Sequence, residues 1–112
     1  MEAEPKNILI VIVAAANLQE AVSISQEAVK SRHAACATTI PAVHSTYWWE
    51  GKIVNEQESM VLLKTTADKF QELQETIRRV HSYKVPEIIA IPVVSGFPQY
   101  LAWVSKETSH VL

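Results

Sequence analysis

Ser45–Thr65, STYWWEGKIVNEQESMVLLKT, is the stretch whose reading decides the fold. It reads as one long β-hairpin. In the first arm Tyr47, Trp49, Gly51 and Ile53 share one face, and Trp48, Glu50, Lys52 and Val54 share the other, because side chains alternate along a strand. The polar triplet Asn55-Glu56-Gln57 has no β-branched residue and is the expected turn. The return arm, 59–65, is almost wholly apolar and is expected to be covered on both faces.

Upstream, Ile8–Val13 is a run of β-branched residues with one Leu, the mark of a central strand buried on both sides. Asn17, with Glu20 three residues on, opens a helix in a capping-box arrangement. Its expected core face is Leu18, Ala21, Val22, Ser25, Ala28 and Val29, and its cationic end is Lys30-Ser31-Arg32. Residues 34–46 read as a strand with an irregularity at Pro41, which lacks a ladder donor. Downstream of the hairpin, Thr66 is expected to cap a helix with the stripe Phe70, Leu73, Ile77, Val80. A fourth strand follows over 87–93, then a short amphipathic helix over 97–106 carrying Tyr100, Leu101, Trp103 and Val104. Residues 1–6 read as a frayed polar tail.

Strand, helix, strand, strand, helix, strand, short helix is the split βαβ order: an α+β fold with an antiparallel sheet and its helices on one face. The other sheet face then needs cover, and the aromatic arm is long for a sheet of this size. Both point to self-association.

The totals fit one soluble domain over residues 1–112, with 48% hydrophobic and 20% charged residues. A net charge of −2 supplies no basic footprint for nucleic acid, and two glycines leave no phosphate-cradling loop. The lone Cys36 excludes an internal disulfide and fits a reducing compartment. The run 8–16 is too short to span a bilayer, and its acidic flank is unlike a signal peptide; a cytoplasmic location is expected.

Several motifs together resemble the CutA divalent-cation-tolerance family: YWWEGK, the KT closing the return arm, H-x-Y-x-V-P-E-I over 81–88, Y-L-x-W over 100–103, and Ala34-Ala35-Cys36 followed by Pro41. The resemblance covers about residues 8–104. It implies a ferredoxin-like fold, a homotrimer similar in architecture to PII signalling proteins, and an association with copper and other divalent cations. It implies no reaction. Departures from the family pattern lie at Ala14, Asn17, His33, Thr38 and Ser82 and bear on any site built from the first loop and the Cys36 strand.

Cys36 and His81 are the candidate metal pair, since thiolate and imidazole are the ligand types copper or zinc takes. The plainer alternative makes Cys36 a small buried residue and His81 a helix cap. His33 is a weaker third candidate; His44 and His110 are expected to face solvent. Glu87, near Tyr83 in sequence, reads as an acid/base in a cleft or as an interface hydrogen-bond partner. Lys52 and Lys64 are expected near each other across the hairpin, as an anion pocket or paired with Glu50, Glu56 or Glu58. Tyr47, Trp48, Trp49 and Trp103 are interface or cleft aromatics. No nucleophile–base pair or carboxylate pair stands out, so no enzyme is expected. The expected function is divalent-cation tolerance with weak or indirect metal binding and metal-independent folding. The alternative is a PII-like signalling or scaffold module holding a small ligand or partner protein between subunits.

Overall fold

A computed structural model describes residues 7–109. The expectations for the tail 1–6 and for His110 fall outside them. The elements are β1 (Ile8–Ala15), α1 (Leu18–Lys30), β2 (Cys36–Trp49), β3 (Lys52–Thr66), a 3-10 turn (Ala67–Lys69), α2 (Phe70–Val80), β4 (Ile88–Pro92) and α3 (Pro98–Thr108). One sheet runs β2-β3-β1-β4 with every neighbour antiparallel, the α+β split βαβ arrangement. β1 is central, as its β-branched run requires, and β2 is irregular between Ile40 and Val43, around Pro41.

The hairpin turn lies elsewhere than expected. Trp49 pairs directly with Lys52, so the loop is Glu50-Gly51, and Asn55, Glu56 and Gln57 are paired strand residues opposite Thr46, Ser45 and His44. Both loop residues are left-handed, with φ of 50° at Glu50 and 79° at Gly51. Two positive φ angles are what a two-residue hairpin needs to match the strand twist. The triplet is polar because it sits in an exposed part of the arm, where Thr46 Oγ1 donates to Asn55 Oδ1 at 2.7 Å. The shift changes the faces: Tyr47 and Trp49 stand with Lys52 and Val54, and Trp48 stands with Ile53. It also separates the two lysines. Lys52 and Lys64 lie on the same strand, about 40 Å of extended chain apart. A Cβ on Gly51 would meet nothing within 4 Å, so substitution there tests backbone strain alone. Gly51→Val should cost about 1–2 kcal/mol and Gly51→Asn less, read from urea unfolding midpoints.

α1 and α2 cover one sheet face, closing a core of Val11, Val13, Val61 and Leu63 with Ala21, Ile24, Ala28, Leu73 and Ile77. The buried stripe of α1 is Ala21, Ile24 and Ala28; Leu18, Val22 and Val29 are 47%, 40% and 39% exposed. Its small residues let the helix approach the sheet, and the larger ones are left on the flank. α2 begins one turn late. Thr66 makes no capping bond, and its buried hydroxyl has no hydrogen-bond partner. Phe70 is half-buried and Val80 exposed, so Leu73 and Ile77 carry the α2 stripe.

The third helix does not join the other two. Ile8 alternates with Leu9 and packs with Ala35 and Val104, so α3 lies against the opposite face, at one end. The rest of that face stays open. Ile10, Ile12, Met60 and Leu62 are half-buried, and Ile40, Ile89 and Ile91 are 40%, 51% and 49% exposed. The expectation that the first strand and return arm are covered on both sides does not hold for a single chain.

Candidate functional site

His81 ends α2 with a side chain wholly removed from solvent. Its Nδ1 accepts from the Tyr83 backbone N–H at 3.0 Å, so Nε2 carries the proton and donates to the Ala14 carbonyl at 2.7 Å. Glu20, the residue expected to close a capping box, reaches past Asn17. Its carboxylate accepts from Ala16 N and Ser82 N, each at 3.0 Å, and Oε1 stands 3.5 Å from His81 Nδ1. Asn17 caps as expected, accepting from Glu20 N at 2.8 Å. His81 and Glu20 thus tie the β1–α1 turn to the segment after α2.

Burial opposes ionisation of Glu20, but the bonds from Ser82 and Ala16 outweigh it and hold the carboxyl below its ordinary 4.5. A lowered folded-state value means the stabilisation is complete above the ordinary value and is lost as pH falls through the folded one. Glu20→Gln should therefore be least stable relative to wild type near neutrality. The two should converge in thermal melts as pH falls through that lowered value.

Tyr83 carries the structure forward. Its ring tilts against His81 at a centroid distance of 4.8 Å, and its hydroxyl donates to Glu58 Oε2 at 2.8 Å. On the arm, Tyr47 donates to Glu56 Oε2 at 2.8 Å. Burial, then the bond to and charge of Glu58, push the Tyr83 phenol up; the bond to Glu56 does the same for Tyr47. Both are held as donors. Between them lies an open cleft of about 660 Å³, lined also by Trp49, Val54, Lys84, Val85 and Glu87.

This cleft brings together Tyr47, Trp49, Tyr83 and Glu87 from the expected set. Trp48 faces the other side of the arm, and Lys52 and Lys64 do not line it. Lys64 donates to Thr38 Oγ1 at 2.9 Å and forms no anion pocket with Lys52. Trp103 stacks on Tyr100 in α3 at 5.7 Å. Cys36 is half-buried on that same face, 3.4 Å from the Tyr100 hydroxyl, which the contact with Cys36 and burial push up to about 12. The structure does not bring Cys36 and His81 together. Cys36 pairs through Lys64 to Ile10, whereas His81 bonds at Ala14, about 13 Å further along β1. His33 is occupied by Thr76 at 2.8 Å and Glu72 at 3.3 Å, and His44 is exposed. Among the described residues no three His, Cys, Asp or Glu side chains gather as a metal site would need.

Glu56 and Glu58 were legible only as lysine partners, and Glu20 only as a cap. The available signal was the i, i+2 spacing of Glu56 and Glu58, which places them on the Tyr47 face once the turn is set at Glu50-Gly51.

A family model described as CutA1 divalent ion tolerance protein matches residues 9–107. The chain belongs to the CutA1 family. It is 36% identical over 99 residues to the divalent-cation tolerance protein CutA of Thermus thermophilus, covering 88% of this chain and 96% of that one. It is 38% identical over 107 residues to Protein CutA of Mus musculus, covering 96% of this chain but 60% of the mouse protein. The crystal structure of CutA1 from Oryza sativa superposes with a TM-score of 0.92 at 29% identity, covering 97% of this chain and 100% of that one. The Thermus thermophilus structure does so at 0.89 and 35% identity, covering 91% and 99%. Related CutA1 proteins are named for divalent-cation tolerance, and the comparisons lend no support to the PII-like alternative. No helix among the described residues is long and apolar enough to cross a membrane.

Proposed function

We propose that this CutA1 chain serves divalent-cation tolerance as a cytoplasmic, non-catalytic homotrimer. In this reading copper or another divalent cation is held weakly, through few ligands per chain, and folding does not need it. Related proteins carry divalent-cation tolerance in their names, which supports the function. The observation that supports the assembled mode is the open sheet face, where Ile10, Ile12, Leu62, Ile89 and Ile91 form an apolar surface across three strands. An apolar surface of this kind marks an association site. The half-buried Cys36 thiol is the soft donor available to a cation, whereas both nitrogens of His81 already have partners.

Two measurements test the reading. Sedimentation at micromolar concentration should give three times the chain mass, and Trp48→Glu or Trp49→Glu should weaken assembly, since burying an unpaired carboxylate is costly. A monomer mass would sink the assembled mode. Copper titrated into wild type, Cys36→Ala and His81→Ala should show modest affinity that falls in Cys36→Ala. Equal binding in all three would exclude both residues as ligands. Cooperative melting should survive a strong chelator.

A further inference from the structure

The arm leaves the body of the sheet at one place. β1 pairs with β3 as far as Ser59, and across from it the β2–β3 register breaks between Ile40 and Val43. Ser59 Oγ closes that irregularity by donating to the Pro41 carbonyl at 2.6 Å. An irregularity of this kind bends its strand, and a two-stranded ladder beyond it has no third strand to stiffen it. Residues 41–43 and 58–59 are therefore where the arm can turn relative to the core.

One side chain crosses that place from outside the hairpin. The segment after α2 passes the end of β1, where His81 is bonded to the Ala14 carbonyl and holds the Tyr83 N–H. The Tyr83 hydroxyl then reaches Glu58, the first arm residue beyond the β1 ladder, at 2.8 Å. Glu58 is only 6% exposed, and among the described residues this is the one hydrogen bond its carboxylate makes.

We propose that Tyr83 is a strap on a hinged arm: its bond to Glu58 sets the angle at which the hairpin stands against the core, and the arm swings outward when that bond is lost. The driving force is the carboxylate itself. A buried carboxylate without a donor is costly, and turning the arm at the bulge gives Glu58 water without breaking the ladder. Tyr47 and Glu56 supply the contrast. They make the same kind of bond at the same 2.8 Å, but both lie on the arm and the bond is exposed, so water can replace it with no turn at the base. The strap lies within one chain and needs neither a metal nor a neighbour. In the assembled mode it also presets the arm for its contact, and that consequence alone rests on the homotrimer reading.

The test is a distance measurement by pulsed electron spin resonance. Spin labels go on Lys52→Cys near the arm tip and Gln26→Cys on the outer side of α1, in a Cys36→Ser background. Labelled chain is assembled with an excess of unlabelled chain, so that each distance lies within one copy. The stretch from Glu58 to Lys52 is a lever of about 20 Å, so a turn of about 15° at its base moves the tip by about 5 Å. Tyr83→Phe should shift the distance by about that much, and Tyr47→Phe should leave it unchanged. Adding Glu58→Met to Tyr83→Phe removes the charge that needs water and should return the wild-type distance. An unchanged distance in Tyr83→Phe, an equal shift in Tyr47→Phe, or no return in the double variant would each overturn the proposal. Sedimentation of the same variants reports the assembly separately, so a monomeric wild type would remove the homotrimer and leave the strap to the distances.

Discussion

His81→Leu should lower the unfolding free energy by about 2–6 kcal/mol, the sum of two buried groups left without partners. The leucine fills much of the space but satisfies neither the Ala14 carbonyl nor the Tyr83 N–H, which the imidazole joins at 2.7 and 3.0 Å. Urea unfolding followed by circular dichroism measures the loss. A change below about 1 kcal/mol would mean that water replaces the ring. Tyr83 should also become more mobile, since its backbone anchor is gone while its hydroxyl remains on Glu58. A local rise in amide exchange around residues 82–84 should accompany the global loss.

Ile24→Ala should cost about 2–5 kcal/mol, and Val22→Ala well under 1 kcal/mol. Ile24 is fully buried between the sheet and α2, so truncation leaves a cavity lined by side chains held on rigid elements. Val22 is 40% exposed and its methyls already touch water. Thermal melts of the two variants at equal protein concentration would separate them. Similar shifts would place the helix in the orientation that its larger residues favour.

That contrast shows where periodicity is a weak guide. In α1 the apolar residues occupy more than one stripe, and the stripe richest in Leu and Val loses to one built on alanines. What decides is how closely the helix axis can approach the strands, a three-dimensional quantity that no count of apolar positions contains. α2 has a single stripe, and there Leu73 and Ile77 were readable. The strands were readable for a similar reason, since a run such as Ile8–Val13 has few homes other than the middle of a sheet. The turn was not, because glutamate is a poor left-handed residue and the polar triplet downstream advertised itself more strongly. That one error carried into the site. With the turn displaced, Glu56 and Glu58 fell in and beside a loop rather than on the Tyr47 face, and Lys52 was brought close to Lys64. The placement of α3 was hidden differently. Which sheet face a terminal helix takes depends on the path of the connection before it, and Tyr100, Leu101 and Val104 are equally apolar on either side.

The protruding arm has a consequence for how the molecule holds together in dilute solution. The chain measures 55 × 28 × 22 Å with a radius of gyration of 14.9 Å, against about 13 Å for a compact chain of this length. The excess is in the hairpin, where the β2–β3 ladder runs on past the point at which β1 stops pairing, at Ser59. Residues 43–58 are therefore held by one ladder and few buried side chains, which puts their opening at the low end of the protein's range of local stabilities. If copies of the chain cover this arm, its closing becomes subject to mass action, while the α1–α2 core remains indifferent to dilution. The outer hairpin would then report the concentration of the protein through its amide exchange. Protease sensitivity at Glu50-Gly51 would rise on dilution long before the fold itself is lost.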